Sequence, residues 1–423
     1  MEWRGGMVPH IGLGKSEDSK TQLFVDNSKA LREIPVSWNQ YRGPNRDGHI
    51  PKQGTTLDWQ NKPSLRWKVP NGPGHSSVLI GKQTVYTLEQ NGDRETLFAR
   101  RLSNGQEKWK FSVKTKWNDS MSGIGPRSTP TLLNGKLYTL FTNGVLCRLN
   151  EQTGKLEWKT KVVDEDYAFP EWGIVSSPFI WKDSVILNLG GKEGAVRAYS
   201  ISSGKLVWKS DFSGESVYIS SSVLSLLGED HLLAAVEGKI AGLDPNTGKT
   251  RWNRPWKIFL NNVQIAQPIA LSPNSFLFAA GYGKGAECFS INRGANPDTY
   301  SIGSIWKSKN LKAKFSNPVL KDGYLYGLSE NLLVCLEAKT GELKWRGKKY
   351  GYGRILVSKD KLLILGSAGV LSVVEASPNE FMELFSEQIL SDSRCWNGPA
   401  LADGYFVAMN GEELACFDWV QKP

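Results

Sequence analysis

Short runs of alternating apolar and polar residues, each cut off by a glycine-bearing turn, recur along most of this chain. The pattern is complete in residues 128–159, where 128–133, 136–141 and 145–149 are such runs, separated by Asn134-Gly135 and Asn143-Gly144. Gln152-Thr153-Gly154 then leads into a fourth run ending at Trp158. Period-two alternation predicts strands, and Asn-Gly between two strands predicts a tight hairpin. Four antiparallel strands per repeat make one blade of a β-propeller.

The end of the repeat is its most legible part. A glycine precedes a tryptophan by four residues at Gly105/Trp109, Gly154/Trp158, Gly204/Trp208, Gly248/Trp252 and Gly341/Trp345. The wider series of closing aromatics is Trp67, Trp109, Trp158, Trp208, Trp252, Trp306, Trp345 and, in a degenerate copy, Phe385, which predicts eight blades. Residues 65–69 form a Trp strand with no strands before it, whereas 397–419 supply three strands with no Trp strand after them. The expected fold is therefore all-β, an eight-bladed propeller of four-stranded antiparallel blades, closed by pairing strand 65–69 with the C-terminal blade 397–419. Leu156, Leu206 and Leu343 lie two residues before their tryptophans, so each pair shares a strand face directed into the gap between blades.

Three segments are expected: an extended or disordered leader over 1–36, a clasp over 37–63, and one propeller over 64–420. The clasp contains Trp38-Asn-Gln-Tyr-Arg-Gly-Pro-Asn-Arg-Asp-Gly48, turn chemistry flanked by aromatics. A ligand loop using Arg42 or Arg46 is the alternative for that stretch.

Composition narrows the function classes. The net charge of +10 is scattered, without the blocks of like charge that mark basic arms, so a solvated surface is expected and nucleic acid is not. No apolar run has membrane-spanning length. The chain as written opens without the apolar core of a signal peptide. Five cysteines, at 147, 288, 335, 395 and 416, are too few and too odd in number for a disulfide framework. Cys288, Cys335 and Cys416 occupy one repeat position, held by Ala198 and Gly242 in other copies, and are expected to be buried small hydrophobes. The histidines, at 10, 49, 75 and 231, lack paired ligand spacing, so no metal site is expected. GxSxG and P-loop motifs are missing from the sequence, and Gly281-Tyr-Gly-Lys-Gly285 falls where a strand turn suffices.

Gly242-Leu-Asp-Pro-Asn-Thr-Gly-Lys-Thr-Arg-Trp252 and Cys335-Leu-Glu-Ala-Lys-Thr-Gly-Glu-Leu-Lys-Trp345 resemble the PQQ-enzyme repeat. That repeat is shared by quinoprotein alcohol dehydrogenases, by the lipoprotein scaffold of the outer-membrane barrel-assembly machinery, and by many PQQ-like bacterial proteins. The N-terminal Trp-x-x-Tyr-Arg-Gly-Pro-Asn-Arg-Asp-Gly stretch resembles the last group. In dehydrogenases the resemblance implies a quinone held between a tryptophan and a vicinal disulfide, a calcium ion, and an aspartate base. This chain has no Cys-Cys pair, and Asp164-Glu165-Asp166 reads as solvated loop acids. The resemblance places the protein in the periplasm or cell envelope; the chain as written reads as cytoplasmic.

Function is expected where the copies differ, in the loops joining each Trp strand to the next blade, all on one face of the ring. Candidate ligand contacts there are Trp117, Arg127, Trp172, Tyr218, Asn262, Gln264, Lys314, Arg354 and Trp396. Such a ring suits a small anionic or carbohydrate ligand or a protein partner, and equally suits sealing of the sheet ends. Two readings follow: a monomeric binding or assembly platform with no cofactor, or an oxidoreductase using PQQ with Ca²⁺ on an alcohol or sugar.

Overall fold

The computed structural model describes strand Leu23–Phe24 and residues 38–51, 57–259, 263–296 and 299–420. Eight antiparallel blades form a closed ring. In chain order they occupy 79–114, 131–161, 179–209, 222–255, 269–308, 319–349 and 354–388, and the eighth is built from both ends of the chain. We call them blades 1 to 8. In blades 1 to 7 the first strand lines the central channel and the Trp or Phe strand lies outermost.

Blade 8 closes the ring as the split repeat predicts. Strand Ser64–Pro70 pairs with Glu413–Asp418, placing Trp67 opposite Cys416. Arg66 clamps the joint through a two-pronged ion pair to Asp418, at 2.9 and 3.2 Å, with its guanidinium buried against the Tyr405 ring. Leu23–Phe24, within the stretch expected to be a leader, adds a fifth strand outside Trp67 and Lys68. The rest of 1–36 lies outside the described residues.

The Gly-Trp spacing has its cause in the gap between blades. A Cβ on Gly154 would lie 2.5 Å from the ring of Trp109, and one on Gly105 2.7 Å from that of Trp67. Gly204, Gly248 and Gly341 stand in the same relation to Trp158, Trp208 and Trp306. Each glycine therefore makes room for the tryptophan of the preceding blade, and it does so at a left-handed φ of 68–74° that a side chain resists. The indole N–H completes the joint. Trp67 donates to the Leu102 carbonyl at 2.8 Å, Trp109 to Glu151 at 3.0 Å, Trp158 to Ile201 at 3.0 Å, Trp306 to Ala338 at 3.1 Å and Trp345 to Ser377 at 2.8 Å.

The cysteines follow from the same geometry. Directly opposite the docking tryptophans stand Ala99, Ala198, Gly242, Cys288, Cys335 and Cys416, and a register shift follows in each strand pair. The exception is Trp158, which stands opposite Arg148 with the same register shift after it. All five cysteines are buried and free.

The stretch expected to act as a clasp crosses the channel. Trp38 bridges Ile80 of blade 1, and Asn39 exchanges backbone and side-chain hydrogen bonds with Leu132 of blade 2. On the opposite side, Arg42 donates to the Pro318 carbonyl at 2.9 Å, His49 bonds the Leu320 carbonyl, and Gly48 and Ile50 pair with Val357. Arg46 reaches the Ser177 and Pro178 carbonyls of blade 3. Residues 38–50 are therefore a strap tied to blades 1, 2, 3, 6 and 7. Gly43 is required at its bend, since a Cβ there would stand 2.8 Å from the Trp38 ring.

Chemical denaturation tests the docking joint. Trp67, fully buried, should cost about 5 kcal/mol on replacement by alanine, and half-buried Trp158 about 3 kcal/mol. Gly154→Ala should cost about 2 kcal/mol or more, from overpacking and from a disfavoured φ. Equal stability of Gly154→Ala and the parent would separate the glycine from the joint.

Candidate functional site

The strap gives the channel a floor. Above Tyr41, on the loop face, lies a cavity of about 100 Å³. Recurrent hydroxyls fix the inner strands around it. Ser76 donates to the Ser128 carbonyl, Ser128 to the Ser176 carbonyl, and the backbone N–H groups of Ser77, Thr129 and Ser177 donate to Thr129, Ser177 and Ser220. These bonds link consecutive blades just before the first strand of each. The Ser-Thr-Pro, Ser-Ser-Pro and Ser-Asn-Pro triplets at 128–130, 176–178 and 316–318 are their mark in the sequence.

Of the candidate contacts, Arg127, Trp172, Tyr218, Arg354 and Trp396 line this cavity, together with His75 and Phe315. The aromatics form two stacked pairs, Trp172 on Tyr218 at 4.8 Å and Phe315 on Trp396 at 5.1 Å, and Trp172 meets Phe315 edge-on at 6.2 Å. These residues come from four different loops, so the ring exists only after closure. Lys314 stands just outside it, with its ammonium 4.8–5.4 Å from the rings of Tyr282, Tyr352 and Phe315. Arg394 covers Trp396 at 4.8 Å.

Other candidates have structural partners. Trp117 packs on Gly173 and donates its indole N–H to Asp119. Gln264 is buried, bonded to the Trp256 indole and to the Ala266 and Ala279 carbonyls. Asn262 lies outside the described residues. The Arg127 guanidinium, though on the cavity wall, binds Asp119 at 2.7 Å, Ser122 and the carbonyls of Gly123 and Gly125, and so holds its own loop together. Arg42 and Arg46 likewise serve carbonyls of the channel wall. Asp164 pairs with Arg197 at 2.7 Å.

Arg354 differs from these. It opens the first strand of blade 7, and Nη1 donates to the Phe315 carbonyl, while Nε is buried without an acceptor. No carboxylate pairs with it among the described residues, and burial lowers its pKa. His75 is also shielded: burial first, then the Arg127 charge, pushes its pKa down to about 4, so the ring is neutral at pH 7 and bonds the Ser122 carbonyl at 2.7 Å. Sequence reasoning missed Tyr41, Ser77 and Ser177 as lining residues, because the strap's route is not encoded in any local period.

The cavity does not fit a quinone with calcium as the repeat's dehydrogenases hold it. No carboxylate lines it, and the nearest acid, Asp119, is engaged by Arg127, Ser122 and Trp117. A divalent cation there would face guanidinium groups, and Cys395, the cysteine nearest the wall, is single. Among the described residues no three acidic, histidine or cysteine side chains gather into a possible metal cluster.

A closed ring of eight such blades, docked by tryptophan, is a PQQ-like propeller. A family model described as outer membrane protein assembly factor BamB matches residues 112–346, more than half of the chain, and the chain belongs to that family. Over 114 residues it is 32% identical to quinohemoprotein alcohol dehydrogenase ADH IIB of Pseudomonas putida, a match covering 25% of this chain and 16% of that protein. The chain thus spans a small part of that relative. Among solved structures, the quinohemoprotein alcohol dehydrogenase of Comamonas testosteroni superposes with a TM-score of 0.65 at 12% identity, over 92% of this chain and 81% of that one. BamB from Moraxella catarrhalis gives 0.53 at 13% identity, over 79% and 96%. At such identities the likeness is one of fold.

Beneath the loop that Arg127 organises, Glu95 is fully buried and accepts hydrogen bonds from the N–H and hydroxyl of Thr142. Burial outweighs these bonds and raises its pKa to about 7. The folded state then holds a proton that the unfolded chain, near 4.3, releases, so stability should fall as pH rises from about 4.5 to 7 and level off above. Glu95→Gln should flatten that part of the melting-temperature profile. An unchanged slope would assign it to another group.

Proposed function

We propose that this protein is a binding propeller whose axial cavity takes a small molecule with a flat body and an anionic group. The observation that carries the reading is the convergence of two stacked aromatic pairs with Arg354, a half-buried cation with no carboxylate paired to it among the described residues. A flat ligand gains area against Trp172 and Trp396, and its anion meets a guanidinium that is already partly shielded from water. Charge-assisted bonds of that kind are among the stronger ones. The cavity's polar wall otherwise offers neutral His75 and the serine hydroxyls, which suit orientation rather than proton transfer.

Two other readings have specific support. The family description as an assembly factor, with Met121 at 62%, Phe169 at 41% and Phe259 at 92% exposure on loops of the same face, favours a protein partner docking over the mouth. Similarity to quinohemoprotein dehydrogenases supports a quinone enzyme, against which stands the lack of a carboxylate on the cavity wall.

Tryptophan fluorescence separates them. Aromatic carboxylates should quench saturably, the tricarboxylate PQQ among them without any need for Ca²⁺, and Arg354→Ala should weaken binding by at least about tenfold, as loss of a desolvated charge-assisted bond does. Calcium-dependent quenching by PQQ, with dye reduction by an alcohol or sugar, would establish the enzyme instead. No quenching by any of these, with a partner peptide shielding Met121 and Phe169 from labelling, would leave the protein-docking reading.

A further inference from the structure

Below Tyr41 lies a second, smaller chamber, of about 20 Å³, lined by Trp38, Tyr41, Arg42, Asn317 and Arg354 among others. Tyr41 separates it from the outer cavity, and its hydroxyl is fixed by a 2.9 Å hydrogen bond from Asn317. The two arginines enter from unrelated elements, Arg42 from the strap and Arg354 from the first strand of blade 7. Each is capped on one side by backbone carbonyls: Arg42 by Asp47 and Pro318 at 2.8 and 2.9 Å, Arg354 by Phe315. Their remaining N–H groups have no protein acceptor among the described residues.

An arginine does not shed its proton in a protein interior, so both charges persist. Burial acts against both, and Arg42 also feels the positive charge of Arg354. Asp47 offsets Arg42 in part, but its carboxylate is turned to the His49 N–H, and neither guanidinium has a carboxylate within ion-pair distance among the described residues. Buried charge without a counter-charge is costly by several kcal/mol. One further buried donor on the chamber's residues, Nε1 of Trp38, also has no acceptor among the described residues, and Nε of Arg354 is itself fully buried. Every mismatch has the same sign: donors and positive charge are in excess, and acceptors are missing.

We propose that a small monovalent anion of chloride size resides in the inner chamber, held between Arg42 and Arg354. It pins the strap to blade 7 electrostatically and fixes the floor of the outer cavity. The two sites share Arg354, which lines both chambers, whereas Arg42 lines the inner one alone, so the inner anion is read in the protein without any ligand in the outer cavity.

The test uses the full chain. At constant ionic strength, replacing gluconate, too large for the chamber, by chloride or bromide should raise the melting temperature saturably by roughly 2–4 °C. Crystals grown in bromide should show an anomalous peak between the two guanidinium groups. Arg354→Met should abolish both the peak and the chloride-specific rise. Melting that follows ionic strength alone, or bromide bound only at surface lysines and arginines (an adventitious ion only), overturns the proposal. Those two wild-type measurements decide the matter even where Arg354→Met does not fold.

Discussion

The contact of each docking tryptophan with the glycine of the following blade is the constraint on which the ring depends. A single four-stranded blade exposes both its faces, and burial comes only from its neighbours. The joint supplies a flat indole, a backbone turn with no side chain to obstruct it, and a hydrogen bond from the indole N–H to a carbonyl of the next blade. Because that bond crosses the gap, the distance and tilt between blades are fixed together. Where the joint is altered, substitutes appear. Trp252 turns its N–H to His231 of its own blade and stacks on Phe276 of blade 5, 5.1 Å away. At the degenerate seventh copy Phe385 leans on Trp419, which bonds the Asp58 and Asn61 carbonyls of the N-terminal segment.

This constraint also explains why the fold was legible. Gly-x-x-x-Trp is a local spacing, but it records a contact between blades, so five copies of it fixed both the repeat and its packing. The split of blade 8 was legible for the same reason: 65–69 was a Trp strand with no strands before it, and 397–419 supplied three strands with no Trp strand after them. The small residues opposite six of the indoles, Cys288, Cys335 and Cys416 among them, were visible as a column without their cross-strand partner, the indole itself.

The site was legible only in outline. Loop aromatics such as Trp172, Tyr218 and Trp396 stood out because they interrupt the repeat, and they do converge. A sequence does not show whether a polar side chain already has a partner. Arg127 and Arg354 look alike in it, yet Asp119 pairs with the first and no carboxylate pairs with the second. Gln264 sits among the loop candidates but satisfies an indole and two carbonyls. The strap left no periodic trace, since it is read by carbonyls on blades far apart in the chain.

The strap changes what the ring can do. An open propeller channel has two mouths and admits water from both, which screens any charge placed inside. With residues 38–50 tied across the channel, Arg42 and Arg354 act in a medium of lower dielectric than water, where a charge attracts its counter-ion more strongly than at a surface. Selectivity then follows from sign before shape: a cation is repelled at the floor, and an anion is drawn to it whatever its outline. The aromatic pairs above add the second criterion, flatness, because Trp172 and Trp396 are each held by a stacked neighbour and offer ring faces rather than mobile chains. Family members that keep the tryptophan joints can therefore share one ring and differ wholly in what occupies it, since the joint lies at the rim and the charge lies on the axis.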